Sequence, residues 1–369
     1  MNPQAQFCPN SACHASGQDG RNNIRVHSRK KRRYKCTCCG QTFSESKGTA
    51  VYGLKKPVDL FILVITLLVN GCPPQAIVAA FGLDARTVAS WQQRAGDHAR
   101  QVHEHVIGQS HLDLGQVQAD EIKVKTQRGY LWLALAIMVS TRLWIAGAVS
   151  PQRNKTLIRC VANQVRQIAL ERPVLIAVDG LASYVTAFRL AFRSPVHSGK
   201  RGAPRKVPWP HLMIVQVVKR RQDGQFSIER RIVHGCTLTI QALIDNSQGI
   251  GGGINTAFIE RFNATFRQRL TFLARRTRAL ARRSQTVESG MYLLGSVYNF
   301  CTFHHSLSAQ VALGDLTQRW VKRTPAMAAG LTDHCWSIHE LLHFKVPTRF
   351  QPPKQRGRPR KFHCSCGFS

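Results

Sequence analysis

Apolar and polar positions alternate with different periods in successive parts of the chain. Residues 58–70, VDLFILVITLLVN, are almost wholly apolar and run into Gly71 and the Pro73-Pro74 pair, which predicts a buried helix stopped there. The next stretch, PPQAIVAAFGLDARTVASWQQRAGDHA, predicts a short helix opened by proline, a turn at Gly82-Leu83 and a second helix capped by Asp84. Two helices so joined form a helix-turn-helix pattern, with Val88 and Trp91 packing inward and Arg86, Thr87, Ser90 and Gln93 presented outward to DNA.

From about residue 115 the period changes. QVQADEIKVKT, GYLWLALAIMVS and RLWIAGAVS predict three strands in an antiparallel meander. NKTLIRCVANQVRQIAL then reads as a helix, PVLIAVDG as an apolar strand ending in Asp179, and LASYVTAFRLAF as a helix. HLMIVQVVKR is a further strand, followed by a small β segment near FSIERRIVHG, and the order predicts a mixed α/β sheet. After the glycine-rich GIGGG, the segment INTAFIERFNATFRQRLTFLARR predicts a long helix. Ile259, Phe262, Phe266, Leu270 and Leu273 recur every three or four residues as its core stripe, and Glu260, Asn263 and Arg267 share an adjoining face. Arg275, Arg278 and Arg282 are expected to continue a basic face, and the compact part to close at Cys301 to His305.

Charge changes the picture from a generic α/β protein to one that meets a polyanion. The 52 Lys and Arg against 19 Asp and Glu leave a net +33, which repels itself unless nucleic acid or a similar partner neutralises it. The longest apolar run, Leu60 to Val69, is too short to span hydrocarbon and is flanked by Asp59 and Asn70. A cytoplasmic, nucleoid-associated protein is therefore expected.

In a reducing compartment the closely spaced cysteines point to metal rather than to disulfides. Cys8 and Cys13 enclose four residues, Cys36 and Cys39 enclose two and precede Gly40, and together they fit a zinc ribbon that binds Zn²⁺ through four thiolates. Cys38 and His14 stand close enough in sequence to compete for a place among the ligands.

Among so few acids, three sit where a structural role does not explain them. Asp120 interrupts the first strand, Asp179 ends an apolar strand before Gly180, and Glu260 lies on a helix with a buried stripe. A carboxylate in a partly buried sheet needs a compensating cation, and oxygen ligands of this kind suit Mg²⁺ or Mn²⁺. Within QVQADEIKVKT the alternation does not choose between Asp120 and Glu121, because Val117 and Ala119 share one face and Ile122 and Val124 the other.

Taken in order, ADEIKV, AVDGLASY and IERFNATFRQRLTFLARRT resemble the three catalytic blocks of the DDE transposases of bacterial insertion sequences, of the insertion-sequence-one type and its relatives. The resemblance implies an RNase H-like core with an Asp on its first strand, an Asp after its fourth, and a Glu on a later helix followed by Asn and Arg. Those positions match Asp120, Asp179, Glu260, Asn263 and Arg267. It further implies that the three acids hold the divalent ions, that the N-terminal zinc-binding and helix-turn-helix parts read the inverted-repeat ends of the element, and that at least a homodimer assembles on paired ends. The organisation expected is a zinc ribbon over 1–50, a helix-turn-helix over 51–110, the catalytic core over 111–305 and a basic tail over 306–369. In that tail KQRGRPRKF resembles an AT-hook, whose Arg356, Arg358 and Arg360 would enter a narrow minor groove.

The competing expectation is a regulatory protein that binds the ends without cutting. Such a protein has no use for all three acids, which favours the enzyme. A tyrosine recombinase is excluded by the lack of any His-x-x-Arg in the chain.

Overall fold

The computed structural model describes residues 1–197, 202–222, 225–277, 279–313 and 317–347. Arg278 and the AT-hook-like Arg356, Arg358 and Arg360 therefore lie outside the described residues. Two units are seen, one built on Met1–Gly53 and the other on Leu54–Phe344.

In the first unit β1 (Ile24–Ser28), β2 (Arg33–Cys36) and β3 (Thr42–Ser44) form an antiparallel sheet in that order. Its core is small: Ile24, Tyr34 and Phe43 pack with Cys8, Cys13 and Cys36.

The second unit begins with three helices. The first, α1 (Val58–Val69), buries Phe61, Val64, Ile65, Leu68 and Val69 and stops where Gly71 takes a φ of 85°. Pro73 and Pro74 open α2 (Pro74–Phe81), which ends on left-handed Gly82. The N-cap of α3 (Ala85–Val106) is Asp84, whose side chain accepts the Arg86 amide at 2.8 Å. Val88 and Trp91 point inward as expected, Trp91 meeting Phe61 edge-on at 5.4 Å. Unlike a short recognition helix, α3 continues for 22 residues.

The sheet follows: β4 (Gln116–Thr126), β5 (Gly129–Met138) and β6 (Trp144–Ser150) make the antiparallel meander. Next come α4 (Lys155–Ile168), β7 (Val174–Asp179), α5 (Ala182–Ala191), the small hairpin β8 (Arg193–Val196) and β9 (Arg205–Pro208), then β10 (Leu212–Gln222) and β11 (Gln225–His234). The six long strands are ordered β11-β10-β7-β4-β5-β6, with β7 parallel to both β4 and β10 and, among the described residues, β11 an edge unpaired on its outer side. This is the mixed α/β sheet that the pattern predicts.

Helices α6 (Thr237–Gln248) and α7 (Ala257–Arg269) complete the site-bearing face, Ile240 and Ile244 of α6 packing on Leu175, Ala177, Met213 and Val215. The expected long helix after GIGGG is cut short. Leu270 turns extended, and the buried Phe272 and Leu273 form a separate 3-10 turn in which Phe272 fits against Gly290. Arg275 and Arg282 are consequently exposed on a connecting loop, not on a continued helical face.

The chain closes with α8 (Ser284–Cys301), the hairpin β12 (His304–Leu313) and β13 (Thr317–Arg323), α9 (Pro325–Ala328) and α10 (Ile338–His343). α8 is buried on nearly every side and packs along α3, where Gly96 meets Ser289. The compact part extends to Phe344, well past His305. Trp336 stacks between Phe300 and Phe344 at 4.5 and 5.0 Å, Leu341 and Leu342 are fully buried, and the His98 ring bonds the Leu341 carbonyl at 3.1 Å. Helices α1–α3 accordingly belong to the same unit as the sheet instead of forming a separate domain over 51–110.

Candidate functional site

Strand register brings two of the acids together. In the parallel pair of β4 and β7, Gln118 lies beside Ala177 and Ala119 beside Val178, so Asp120 and Asp179 occupy the next rung. Side chains alternate along a strand, and Gln118 reaches the α7 side by binding Asn255 and the amides of Phe258 and Ile259. Asp120 and Asp179 share that face, and α7 presents Glu260 to it. All three line an open cavity of about 400 Å³, together with Thr256, Lys219 and Arg153.

Carboxylate oxygens of Asp120, Glu121 and Asp179 lie within 4.8 Å of one another, a group able to hold a divalent metal. Glu260 stands at the opposite wall, paired with Lys219 and accepting the Thr256 hydroxyl at 2.7 Å. Burial, reinforced by the charges of Glu121, Asp179 and Glu260, pushes Asp120 up to about 6. Burial also raises Glu121, against the hydrogen bond from Tyr184 and the charge of Arg153. For Glu260 burial acts upward, yet Lys219 and Thr256 hold it below the usual carboxylate range. Such a cluster of mutually repelling acids is the electrostatic condition that a cation relieves.

Asn263 does not lie beside the apolar stripe of α7 but within it. It is 1% exposed and donates from Nδ2 to Asp120 Oδ2 at 2.8 Å, leaving its own Oδ1 without a partner. Arg267 is exposed in the last turn and is not among the cavity-lining residues.

Glu121 points to the other face of β4, as its neighbour's orientation requires, and there accepts the Tyr184 hydroxyl at 2.6 Å. Its counter-charge is Arg153, not a nearby lysine; Arg153 also reaches Asp179 Oδ2 at 3.2 Å and sits over the Trp132 ring at 5.2 Å. Lys123 instead lies 3.8 Å from the centroid of the Tyr130 ring. Arg153 and Lys219 are the site residues that sequence reasoning missed, and no local pattern marks either.

The second metal-ligating group is in the N-terminal unit. Cys8, Cys13, Cys36 and Cys39 place their sulfurs within 4.8 Å of one another, with Cys8 to Cys39 at 3.6 Å and Cys13 to Cys36 at 3.9 Å. Four thiolates at about 2.3 Å from a tetrahedral zinc have sulfurs about 3.8 Å apart, so the spacing fits that ion. Cys38 is exposed and, like His14, is not part of the cluster. Although burial acts to raise the Cys36 thiol, the backbone amides of Cys39 and Cys38 bring it down to about 7, while burial raises Cys8 and Cys13.

Comparison with protein-family models and with curated proteins gives no match. Of the residues expected to meet DNA, Arg86 and Ser90 are exposed on α3, Thr87 and Gln93 are half-buried, and Arg275 and Arg282 are exposed. Among the described residues no helix is long and apolar enough to cross a membrane.

Proposed function

We propose that the chain is a metal-dependent DNA transposase of the DDE type, which binds the inverted-repeat ends of its element and cleaves and joins DNA strands by phosphoryl transfer. The observation that carries this reading is the convergence of Asp120, Asp179 and Glu260, from three distant segments, on one cavity. Their settings agree with an RNase H-like core: the first strand of the sheet, the end of its fourth, and a later helix.

The donor set suits Mg²⁺ or Mn²⁺, since it is all oxygen and its central carboxyl is held up to about 6 by burial and like charge. When bound, two such ions activate the attacking oxygen and stabilise the leaving one. Asn263 fixes the Asp120 carboxylate, and Lys219 and Arg153 offer positive charge to the phosphates beside it. Arg267 is left to contact the DNA backbone. Zinc in the Cys8, Cys13, Cys36 and Cys39 cluster shapes the N-terminal unit, which with α3 reads the ends, and paired ends call for at least a homodimer.

A regulator that binds ends without cutting is the second reading. It draws on Arg153 and Lys219, whose ion pairs with Glu121, Asp179 and Glu260 give these acids a structural counter-charge. One assay separates the two. With Mg²⁺ or Mn²⁺ the purified protein is expected to nick a duplex carrying the element's end, and Asp179→Asn and Glu260→Gln to lose nicking while keeping end binding. End binding without nicking by the wild-type protein leaves the regulator.

A further inference from the structure

Helix α7 partitions two cavities. Thr256 and Glu260 line the acidic one, while Phe258, Arg261 and Thr265 line a second, also of about 400 Å³, closed on its far side by Arg142, Tyr298 and His304. We propose that this second cavity holds one backbone phosphate of the DNA strand beside the cut, an inference that rests on the transposase reading.

Its charge is positive and uncompensated. Arg142 and Arg261 both enter the lining, no Asp or Glu does, and neither guanidinium has a carboxylate partner among the described residues. Arg142 is fixed in place: it donates to the Val139 carbonyl and lies 3.9 Å from the centroid of the Phe258 ring. Burial lowers its guanidinium, and the like charge of Arg261 acts in the same direction.

The wall between them carries an unmet hydrogen-bonding group. His304 packs edge-on to Tyr298 at 4.4 Å, and its Nε2 is buried without a partner among the described residues. Burial, followed by the charges of Arg142, Arg269 and Arg261, pushes this ring down to about 4, so it is neutral at neutral pH and one of its nitrogens donates. Two guanidiniums and a neutral imidazole make a donor set for phosphate oxygens, for which Arg is well shaped. A buried unpartnered nitrogen and a pair of repelling cations are both satisfied by one anion.

Position selects the source of that phosphate. The cavity opens to the surface past the exposed His305 and Ser306, so a backbone phosphate can enter it. The two cavities are separated by about one helix diameter, roughly 10–12 Å. That span corresponds to about three nucleotides of axial rise at 3.4 Å each, so a strand whose scissile phosphate lies at Asp120 and Asp179 can place a nearby phosphate between Arg142 and Arg261.

The test uses the full chain and an end-bearing duplex, without added Mg²⁺ or Mn²⁺, and measures binding by fluorescence anisotropy. Neutral methylphosphonates replace the phosphates around the cut one at a time. In the wild-type protein one position near the cut is expected to cost about tenfold in affinity, the loss of a charge-assisted hydrogen bond. Arg261→Gln, an exposed position whose substitution keeps the melting temperature, should bind unmodified DNA about tenfold more weakly and be indifferent to that methylphosphonate. Arg159→Gln, exposed on α4, should retain the wild-type pattern.

Inorganic phosphate at constant ionic strength should weaken wild type more than Arg261→Gln, because it competes for the cavity only where both guanidiniums are present. Binding of inorganic phosphate by wild type and not by Arg261→Gln, with no loss of DNA affinity, marks a free anion as the occupant and overturns the assignment. Binding with the same scan in wild type and Arg261→Gln overturns the subsite alone. Failure of the wild-type protein to bind the duplex overturns the transposase reading and the subsite with it.

Discussion

Asp120 carries a cost that an ion would remove. Its folded value of about 6 lies above the ordinary 3.8, so between those two values the folded protein holds a proton that the unfolded chain has released, and stability falls as pH rises through that window. Asp120→Asn keeps an acceptor for Asn263 and has no such loss. Without added divalent ions it should be more stable than wild type at pH 7.5 by on the order of 1–3 kcal/mol, and the gain should fade towards pH 4. Urea titrations at the two pH values measure this, and a gain independent of pH would remove the electrostatic account. Mg²⁺ should raise the melting temperature of wild type and leave Asp120→Asn unmoved. At this scale Asp120 and Glu260 were singled out by the order of their blocks in the family resemblance and not by strand or helix phase. Asp179 was legible because it ends an apolar run, and the four cysteines because their spacing is short. Arg153 was not, because it meets Glu121 and Asp179 only through the fold's connectivity. Asn263 misled for the opposite reason, since a polar residue in an amphipathic helix is assigned outward by default, and here its amide is buried to hold Asp120.

The helices show how close approach selects residues. A Cβ on Gly295 of α8 would lie 2.2 Å from the Trp144 ring. Alanine at an unhindered helix position gains roughly 0.5–1 kcal/mol over glycine; Gly295→Ala should instead lose roughly 1–3 kcal/mol through overpacking, read as a lower urea midpoint at unchanged slope. A gain would mean that Trp144 moves freely. Strands β4 to β7 and helices α1 to α5 could be read from periodicity because each has one face or run of clear character. α8 escaped because it is buried nearly all round and so has no stripe. The early end of α7 escaped as well: neither Gly nor Pro marks Leu270, and the stop is made by Phe272 and Leu273 turning into the core.

For the whole molecule, metal and charge act on different parts. The N-terminal unit has a core of only a few residues, three of them cysteines, so chelation of zinc should unfold it while the Leu54–Phe344 unit keeps its own melting transition. Circular dichroism and calorimetry with and without chelator would show one transition lost; two unchanged transitions would count against the metal. End-specific binding should weaken with it more than nonspecific binding, and all DNA binding should fall steeply with salt because of the +33 charge. The proposed nucleic-acid partner rests on composition, whereas the extent of the larger unit depends on the aromatic stack of Trp336 with Phe300 and Phe344, which no linear pattern reveals.

The outer edge of the sheet has a consequence for handling the protein. Among the described residues β11 leaves one row of backbone groups unpaired and exposes Ile228 and Ile232, a combination that invites a second copy to add its own strand. Arg230 lies on the same exposed edge and opposes such stacking by like-charge repulsion, whereas the charge of Arg231 is met by Glu229. Colloidal stability should therefore be borrowed from low ionic strength: concentrated salt, or Arg230→Ser, should raise light scattering as sheets join edge to edge, and a modest excess of duplex over protein should restore clarity.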